Sequence, residues 1–489
     1  MIRQTLLLMV VAYMFGACHT PGPPNVLFIA VDDLRTELGV YGNPIVQSPH
    51  LDRLATEGRL FTHHYVQVPT CGASRHALLT GKYPTQQKHL SNDITAETLA
   101  KAPENTLPET FIHHFKRNGY YTVGIGKISH SADGQVYGYE EAPSGKRELP
   151  YSWDELLFDP GKWATGWNAF FAYADDENRQ SRKRQVKPYE QADVTDEGYP
   201  DGLTAQLAVA KLKELKQKEQ PFFLGVGFFK PHLPFTAPKK YWDMYERESI
   251  PLSPNPNIPE TVHPLSLHGS GELNGYYLTD EKAGLKETVS EEYARKLRHA
   301  YFACISYVDA QIGKVLDELK KQGLDENTIV VVWGDHGWHL GDQMVWGKHT
   351  LFERALKSSL IVKVPGMLQT GVPAEGLVET IDIYPTLLEL CGLKASIPLD
   401  GKSFVAQLNS PESDGKVAAY GFFRKGISMR TERYRLTKYF RKEEPLWELY
   451  DHQTDPDETK NIAREKPELV KKLMPLWEKG NTGIYQRKN

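Results

Sequence analysis

Five unbroken apolar runs recur along the chain, at Asn25–Val31, 121–125, Phe222–Phe228, 328–333 and 360–364. Each is too short for a helix and too uniformly apolar for a half-buried strand, so each predicts a strand covered on both faces. Helical patterns separate them. The longest lies within 288–321, where Leu297, Tyr301, Cys304, Ile305, Val308, Ile312, Val315 and Leu319 form one stripe. This alternation predicts an α/β fold with a large, mainly parallel sheet sandwiched by helices. Past Asp400-Gly401-Lys402-Ser403-Phe404 the pattern changes to alternating polar and aromatic residues, as in Ile427-Ser428-Met429-Arg430 and Tyr434-Arg435-Leu436-Thr437. That change predicts a smaller C-terminal α+β domain with an antiparallel sheet, a closing strand at Trp447–Asp451 and a terminal helix from near Pro467. The expected organisation is an N-terminal signal over 1–17, a linker over 18–24, a main domain over 25–410 and a C-terminal subdomain over 411–489.

Composition narrows the possibilities. With 489 residues, 40% hydrophobic and 25% charged, the chain can bury a large core, and a net charge of -4 argues against a broad nucleic-acid surface. Its cysteines, Cys18, Cys71, Cys304 and Cys391, are too few for a disulfide scaffold and match no zinc spacing. Cys304 falls on the apolar stripe and is expected in the core. If Cys18 and Cys71 are both modified, a single disulfide is the most that remains. At the N-terminus, Arg3, the apolar stretch 6–17 and Pro21-Gly22-Pro23-Pro24 predict an export signal, too short to span a bilayer as a mature helix. Phe15-Gly16-Ala17-Cys18 resembles a bacterial lipobox, which would leave Cys18 lipidated; simple secretion is the alternative. Either route places the protein outside the cytoplasm, in the periplasm or on the outer membrane of a Gram-negative bacterium, with membrane contact only through the lipid.

Candidate chemistry gathers where the apolar runs stop. Asp32-Asp33, Lys127, His232 and Asp335-His336 each follow one of them, and open α/β sheets bind ligands outside the carboxyl ends of their strands. Carboxylates collected there repel unless a cation neutralises them. The oxygen-rich set suits Ca²⁺ or Mg²⁺, and His336 as a softer ligand leaves the ion open. Read singly, Asp-Asp after a strand is a helix cap or turn, Lys348 a solvated loop residue and His130 a structural histidine. Cys71-Gly72-Ala73-Ser74-Arg75 is different, because a cysteine in a polar, Gly-containing turn packs poorly and suggests a reactive centre.

Six ordered motifs decide between these readings. Asn25 to Asp33, Ser48-Pro49-His50-Leu51-Asp52-Arg53-Leu54-Ala55, Cys71 to Gly81, Gly126-Lys127-Ile128-Ser129-His130, Lys230-Pro231-His232-Leu233-Pro234-Phe235 and Gly334-Asp335-His336-Gly337-Trp338-His339-Leu340-Gly341 resemble the type I sulfatase family of the alkaline phosphatase superfamily, and its iduronate-2-sulfatase-like branch in particular. The resemblance runs from about residue 25 to the C-terminus. It implies a bacterial polysaccharide sulfatase in which Cys71 is oxidised to formylglycine (3-oxoalanine), with Ca²⁺, or Mg²⁺, at Asp32, Asp33, Asp335, His336 and the modified residue 71. It implies that the hydrated aldehyde attacks sulfur and passes through a covalent sulfo-enzyme. It also implies that Arg75 holds the modified side chain, that Lys127 and Lys348 grip sulfate oxygens, that His232 or Lys348 protonates the leaving group, and that His130 is the base releasing sulfate. Ala73 departs from the proline usual two residues after the cysteine. Radical-type maturases of anaerobic bacteria accept alanine there, so a formylglycine-maturing enzyme is an expected partner and its type stays open.

The expected substrate is a sulfated polysaccharide or oligosaccharide, with glycosaminoglycans and algal polymers such as ulvan equally open. Residues 179–187, Arg-Gln-Ser-Arg-Lys-Arg-Gln-Val-Lys, either guide a polyanionic chain or form a solvated basic loop. The nearby Trp163, Trp167, Phe170, Phe171 and Tyr173 either stack on sugars or pack. A phosphodiesterase or phosphonate hydrolase of the same superfamily is the alternative enzyme, disfavoured by the pairing of Lys127 with Lys348. A non-catalytic glycan-binding lipoprotein would be expected to have lost the nucleophile or metal positions, and all of them are present.

Overall fold

The computed structural model describes residues 22–106 and 109–486, so the signal segment and Cys18 lie outside the described residues. All five apolar runs are strands of one seven-stranded sheet: β1 (Asn25–Val31), β2 (Arg59–Leu60), β3 (Tyr121–Gly126), β4 (Glu155–Leu157), β5 (Phe222–Phe228), β6 (Thr328–Gly334) and β7 (Leu360–Lys363), in the order β2-β7-β6-β1-β5-β3-β4. Neighbours from β6 through β4 are parallel, while β7 and β2 run antiparallel at one edge. The fold is the expected large, mainly parallel sheet.

The uniform apolarity of β1 has a direct cause. Leu27, Ile29 and Val31 enter one core with Val308 and Ile312, while Val26, Phe28 and Ala30 enter another with Phe111, Phe223 and Trp333. Helices α1 (Pro49–Glu57), α4 (Pro200–Leu215) and α5 (Glu291–Lys321) cover the first face, and α2 (Cys71–Thr80), α3 (Phe111–Arg117) and α6 (Ile383–Leu390) the second. The 31-residue α5 opens on Ser290, whose hydroxyl accepts from Tyr293 N, has Glu291 and Glu292 in its first turn and Lys320 and Lys321 in its last. Cap and charges suit the helix dipole at both ends. Cys304 is fully buried on α5 as expected; it and Cys391 sit in opposite cores, and Cys71, Cys304 and Cys391 are all free thiols, so no disulfide links them.

A second, four-stranded antiparallel sheet follows: β8 (Ala419–Phe423), β9 (Gly426–Arg430), β10 (Tyr434–Tyr439) and β11 (Trp447–Asp451). The last helix, α7 (Pro467–Lys479), closes its core of Phe422, Ile427, Met429, Leu436 and Leu449 with Trp477, whose indole N–H donates to Ile427 O at 3.0 Å. Buried charge ties this sheet to the main body: Glu353 accepts from Arg430 at 3.2 Å and from Arg435, and Arg435 also meets Glu458 at 2.6 Å. Among the described residues no helix is long and apolar enough to cross a membrane.

One scaffold histidine makes stability pH-dependent. His64 is fully buried between Ser358 O at 3.2 Å and Thr380 Oγ1 at 2.9 Å, and burial lowers its pKa from 6.5 to about 4. The native ring stays neutral where the unfolded chain already binds a proton. Its contribution is therefore complete above pH 6.5 and lost as pH falls through 4, amounting to about 3 kcal/mol. Thermal melts across this range should show a steeper acid loss for the native protein than for His64→Asn. Parallel curves would remove His64 from the explanation.

Candidate active site

Four adjacent strands, in the order β6, β1, β5 and β3, end on the same side of the sheet. They deliver Asp335-His336, Asp32-Asp33, the loop bearing Lys230 and His232, and Lys127 to one place. The strand ends are close enough that a Cβ on Gly227 would lie 2.1 Å from Lys127 O. Asp33 takes a left-handed backbone, φ 60°, which aspartate tolerates better than most residues. Its N–H donates to Asp335 Oδ1 at 2.9 Å and its carbonyl accepts from the Tyr301 hydroxyl at 2.6 Å. Cys71 begins α2. Gly72 follows it because a Cβ there would lie 2.1 Å from the Asn92 carbonyl oxygen; Asn92 Oδ1 also accepts from Gly72 N at 2.9 Å.

These elements bring most of the expected residues into direct contact. Cys71 Sγ lies 3.2 Å from His336 Nε2 and 4.0 Å from Asp33 Oδ1. His336 Nε2 is 3.3 Å from Asp33 Oδ1 and 3.7 Å from Asp335 Oδ1. Lys127 Nζ pairs with Asp32 Oδ2 at 2.6 Å, and Lys348 Nζ with Asp33 at 2.9 and 3.2 Å. Arg75 is committed within the cluster: it meets Asp32 at 3.1 Å and Asp335 at 3.0 Å, and donates to the carbonyls of Lys127 and Ile128. Arg75 therefore fixes the carboxylates flanking residue 71. Lys230, within the Lys-Pro-His motif, donates to the carbonyls of His232 and Pro234 and shapes that loop.

Burial sets the charge states. Asp32, Asp33, Asp335 and Arg75 are all fully buried. For Asp32 the burial penalty is outweighed by Lys127 and Arg75, which hold it well below the usual carboxylate range. Asp33 is pushed well above that range by burial, with Cys71 and Asp32 adding to it against Lys348 and His336. Asp335 is raised by burial and then by Asp32. Burial, followed by Asp32, pushes the Cys71 thiol up to about 12, so a thiolate is disfavoured at neutral pH.

Two histidines flank the cluster. His130 is buried, its Nδ1 has no hydrogen-bond partner, and burial followed by Lys127 holds it well below the usual histidine range. His232 Nδ1 faces Leu233 O, so that nitrogen carries a proton, while Nε2 lies 3.0 Å from Glu272 Oε1. Burial and Lys348 lower the His232 pKa to about 4 and Glu272 opposes them, while Glu272 is itself held, against burial, well below the usual carboxylate range by Lys348 and His232. Glu272 also lies 3.3 Å from Lys348 Nζ. Neither Glu272 nor His268, which holds the Lys348 carbonyl at 2.6 Å, was apparent in the sequence. The only signal was an acid in the unpatterned run Ser270-Gly271-Glu272-Leu273-Asn274. His349, stacked on Phe423 of β8 at 5.4 Å, brings the second sheet up to the site.

An aromatic wall stands beside the histidines. Phe170 packs 4.5 Å from the His232 ring, Trp167 5.4 Å from His130, and Lys127 Nζ lies 4.2 Å over Phe170. Trp163, Trp167, Phe170, Phe171 and Tyr173 are all buried, so they pack. Tyr139, absent from the sequence reading, is 41% exposed at the rim and meets Trp167 edge-on at 4.6 Å. Within 179–187, residues 181–185 and Lys187 are exposed and Arg179 is half-buried.

The donors fit a hard divalent cation. One atom from each of Asp32, Asp33 and Asp335 lies within 4.8 Å of the others, as do one each from Asp33, Cys71 and His336. Burial, with the Asp32 charge adding to it, raises two of the three aspartates, and a bound cation would favour their ionised forms. In a further cluster, Glu353, His452 and Glu458, the two carboxylates are already neutralised by Arg430 and Arg435.

Comparison with known proteins agrees with this geometry. Residues 24–393 match the family described as Sulfatase, and residues 334–479 match the family described as N-sulphoglucosamine sulphohydrolase, C-terminal. A sulfatase of Formosa agariphila is 32% identical, covering 92% of this chain and 86% of that protein. The iduronate 2-sulfatase of Mus musculus is 31% identical, covering 76% of this chain and 69% of that protein. A solved structure in complex with its substrate D-glucosamine-2-N,6-O-disulfate superposes with a TM-score of 0.72 at 21% identity, covering 95% of this chain and 99% of that one; at that identity it bears on the fold alone.

Proposed function

The chain belongs to the sulfatase family of sulfuric ester hydrolases, and we propose that it releases sulfate from a sulfated saccharide, using a formylglycine made from Cys71 and a divalent cation, Ca²⁺ or Mg²⁺. The observation that carries this reading is the convergence on Cys71 of His336 at 3.2 Å and Asp33 at 4.0 Å, with Lys127 and Lys348 each seated on one of the paired aspartates. The mouse relative acts as an iduronate 2-sulfatase, which supports a sulfate carried on a sugar ring.

The residues divide the work. Asp32, Asp33, Asp335 and His336 would hold the cation, which when bound would supply a Lewis acid to the sulfate oxygens. Once oxidised and hydrated, residue 71 would supply one hydroxyl to attack sulfur, with the sugar oxygen leaving, and a second whose deprotonation would expel sulfate and restore the aldehyde. Lys127 Nζ and Lys348 Nζ grip sulfate oxygens as the S–O bond breaks. His232 Nε2 and Lys348 Nζ both meet Glu272, at 3.0 and 3.3 Å, and either one would protonate the departing sugar oxygen. The unpartnered Nδ1 of His130 accepts the proton released as sulfate departs. Arg75 holds Asp32 and Asp335 in register throughout.

Export through the N-terminal signal, with Cys18 as the lipid anchor, would place this activity where polysaccharide fragments are met. Ala73 is consistent with maturation by a radical-type enzyme. The test is sulfate release from a panel of defined mono- and disulfated saccharides, run beside an aryl sulfate and an aryl phosphodiester. Sulfate release from one saccharide series, faster than phosphodiester cleavage, is expected. Phosphodiester cleavage with no sulfate released from any member would sink the reading.

A further inference from the structure

We propose that Arg179 binds a second anionic group, a carboxylate or a further sulfate, carried by the same saccharide whose sulfate ester is cleaved. This rests on the saccharide reading above and narrows it to sugars with two anionic groups.

Arg179 is placed one aromatic ring from the reaction centre. Its guanidinium carbon lies 3.5 Å from the centroid of Phe171, and the Phe171 ring lies 6.3 Å from that of His232. Tyr276 bounds the other side at 5.4 Å. The backbone holds this position: Arg179 N donates to Phe171 O at 3.1 Å, and Ala172 bridges Asn178. A guanidinium held over a ring, with no carboxylate on it, still has N–H groups to offer in parallel pairs, which suit a carboxylate or sulfate.

Pairing and burial together distinguish this residue within the segment. Arg182 pairs with Asp175 at 2.6 Å and Lys187 with Asp280 at 3.5 Å, while Lys183 and Arg184 are exposed to solvent and Arg179 is half-buried. Arg179 has no carboxylate partner among the described residues, and its Nε is buried without a hydrogen-bond partner. Both amide atoms of the adjacent Gln180 are buried and equally unpartnered. Leaving such groups unsatisfied is costly unless a ligand meets them. In the sulfate site Arg75, Lys127 and Lys348 already face aspartates. A second anion on the sugar therefore has Arg179 as its unpaired cation. Tyr139, edge-on to Phe171 at 5.5 Å and partly exposed, gives the sugar a rim between the two sites.

The test compares Arg179→Gln, Arg179→Lys and the native enzyme on two substrate pairs. One pair is a monosulfated uronate disaccharide and its methyl ester; the other is a disulfated hexosamine and its monosulfated counterpart. The native enzyme should prefer the dianionic member of at least one pair, and which pair it is identifies carboxylate or sulfate. Arg179→Gln should lower kcat/KM on that member about 10- to 100-fold more than on its partner, chiefly through KM, with part of the loss restored in Arg179→Lys. Equal losses on both members, or a native enzyme indifferent within both pairs, would overturn the assignment while leaving saccharide sulfatase activity standing. No sulfate release from any saccharide would instead overturn the underlying reading, and this inference with it. The native comparison decides the matter even if a variant fails to fold.

Discussion

Cys71→Ala is expected to cut sulfate release by about 10⁴-fold or more, the scale on which losing a nucleophile is felt, while the fold persists. Cys71 starts α2 and is 3% exposed; alanine is a good helix former and removes only one heavy atom from the pocket. The neighbours within reach are carboxylates, lysines, an arginine and histidines, each already assigned to charge or proton work. Cys71→Ser should be nearly as poor, because serine has one hydroxyl where the proposed reaction needs two. Sulfate measured by ion chromatography, with circular dichroism to confirm folding, checks both variants. A Cys71→Ala protein that releases sulfate at the native rate would end the nucleophile assignment.

Asp33→Asn is the second large effect, expected to lower activity about 10³-fold. Asparagine keeps the side-chain shape and tolerates the φ of 60°, so the loss isolates the charge. Asp33 touches Lys348 at 2.9 Å and His336 at 3.3 Å, so in the proposed mechanism it links the cation to the sulfate grip. Binding provides a readout apart from activity. A cation present at 100 times its dissociation constant stabilises the native state by about 2.7 kcal/mol, so Ca²⁺ should raise the melting temperature of native protein stripped with a chelator and barely move that of Asp33→Asn. Full activity in stripped enzyme with no divalent ion by elemental analysis would contradict the metal site.

Much of this architecture was legible because the relevant signals are local. The two-face burial of β1 makes it continuously apolar, so both the strand and the point where it stops, at Asp32-Asp33, stand out. The stripe on α5 placed Cys304 in the core for the same reason. Lys348 is different, since it follows a two-residue strand, Trp346–Gly347, with no periodicity to mark it, and only the family resemblance singled it out. Glu272 was missed because its helix is only four residues long, Gly271–Asn274, and His268 and Tyr139 because they sit in irregular segments whose positions depend on tertiary packing. The basic run at 179–187 was visible as charge. Which of its cations meet Asp175 and Asp280, and which one lies half-buried beside the aromatic wall, required the fold.

The central claim is that residue 71 works as an aldehyde and the cysteine is its precursor. Mass spectrometry of the peptide containing position 71, on the same preparation assayed for sulfate release, tests it most directly. The account predicts that active protein carries the formylglycine mass at this position, captured by an aldehyde-reactive probe, and that activity scales with the modified fraction across preparations. Fully active protein whose peptide retains an unmodified thiol would contradict it.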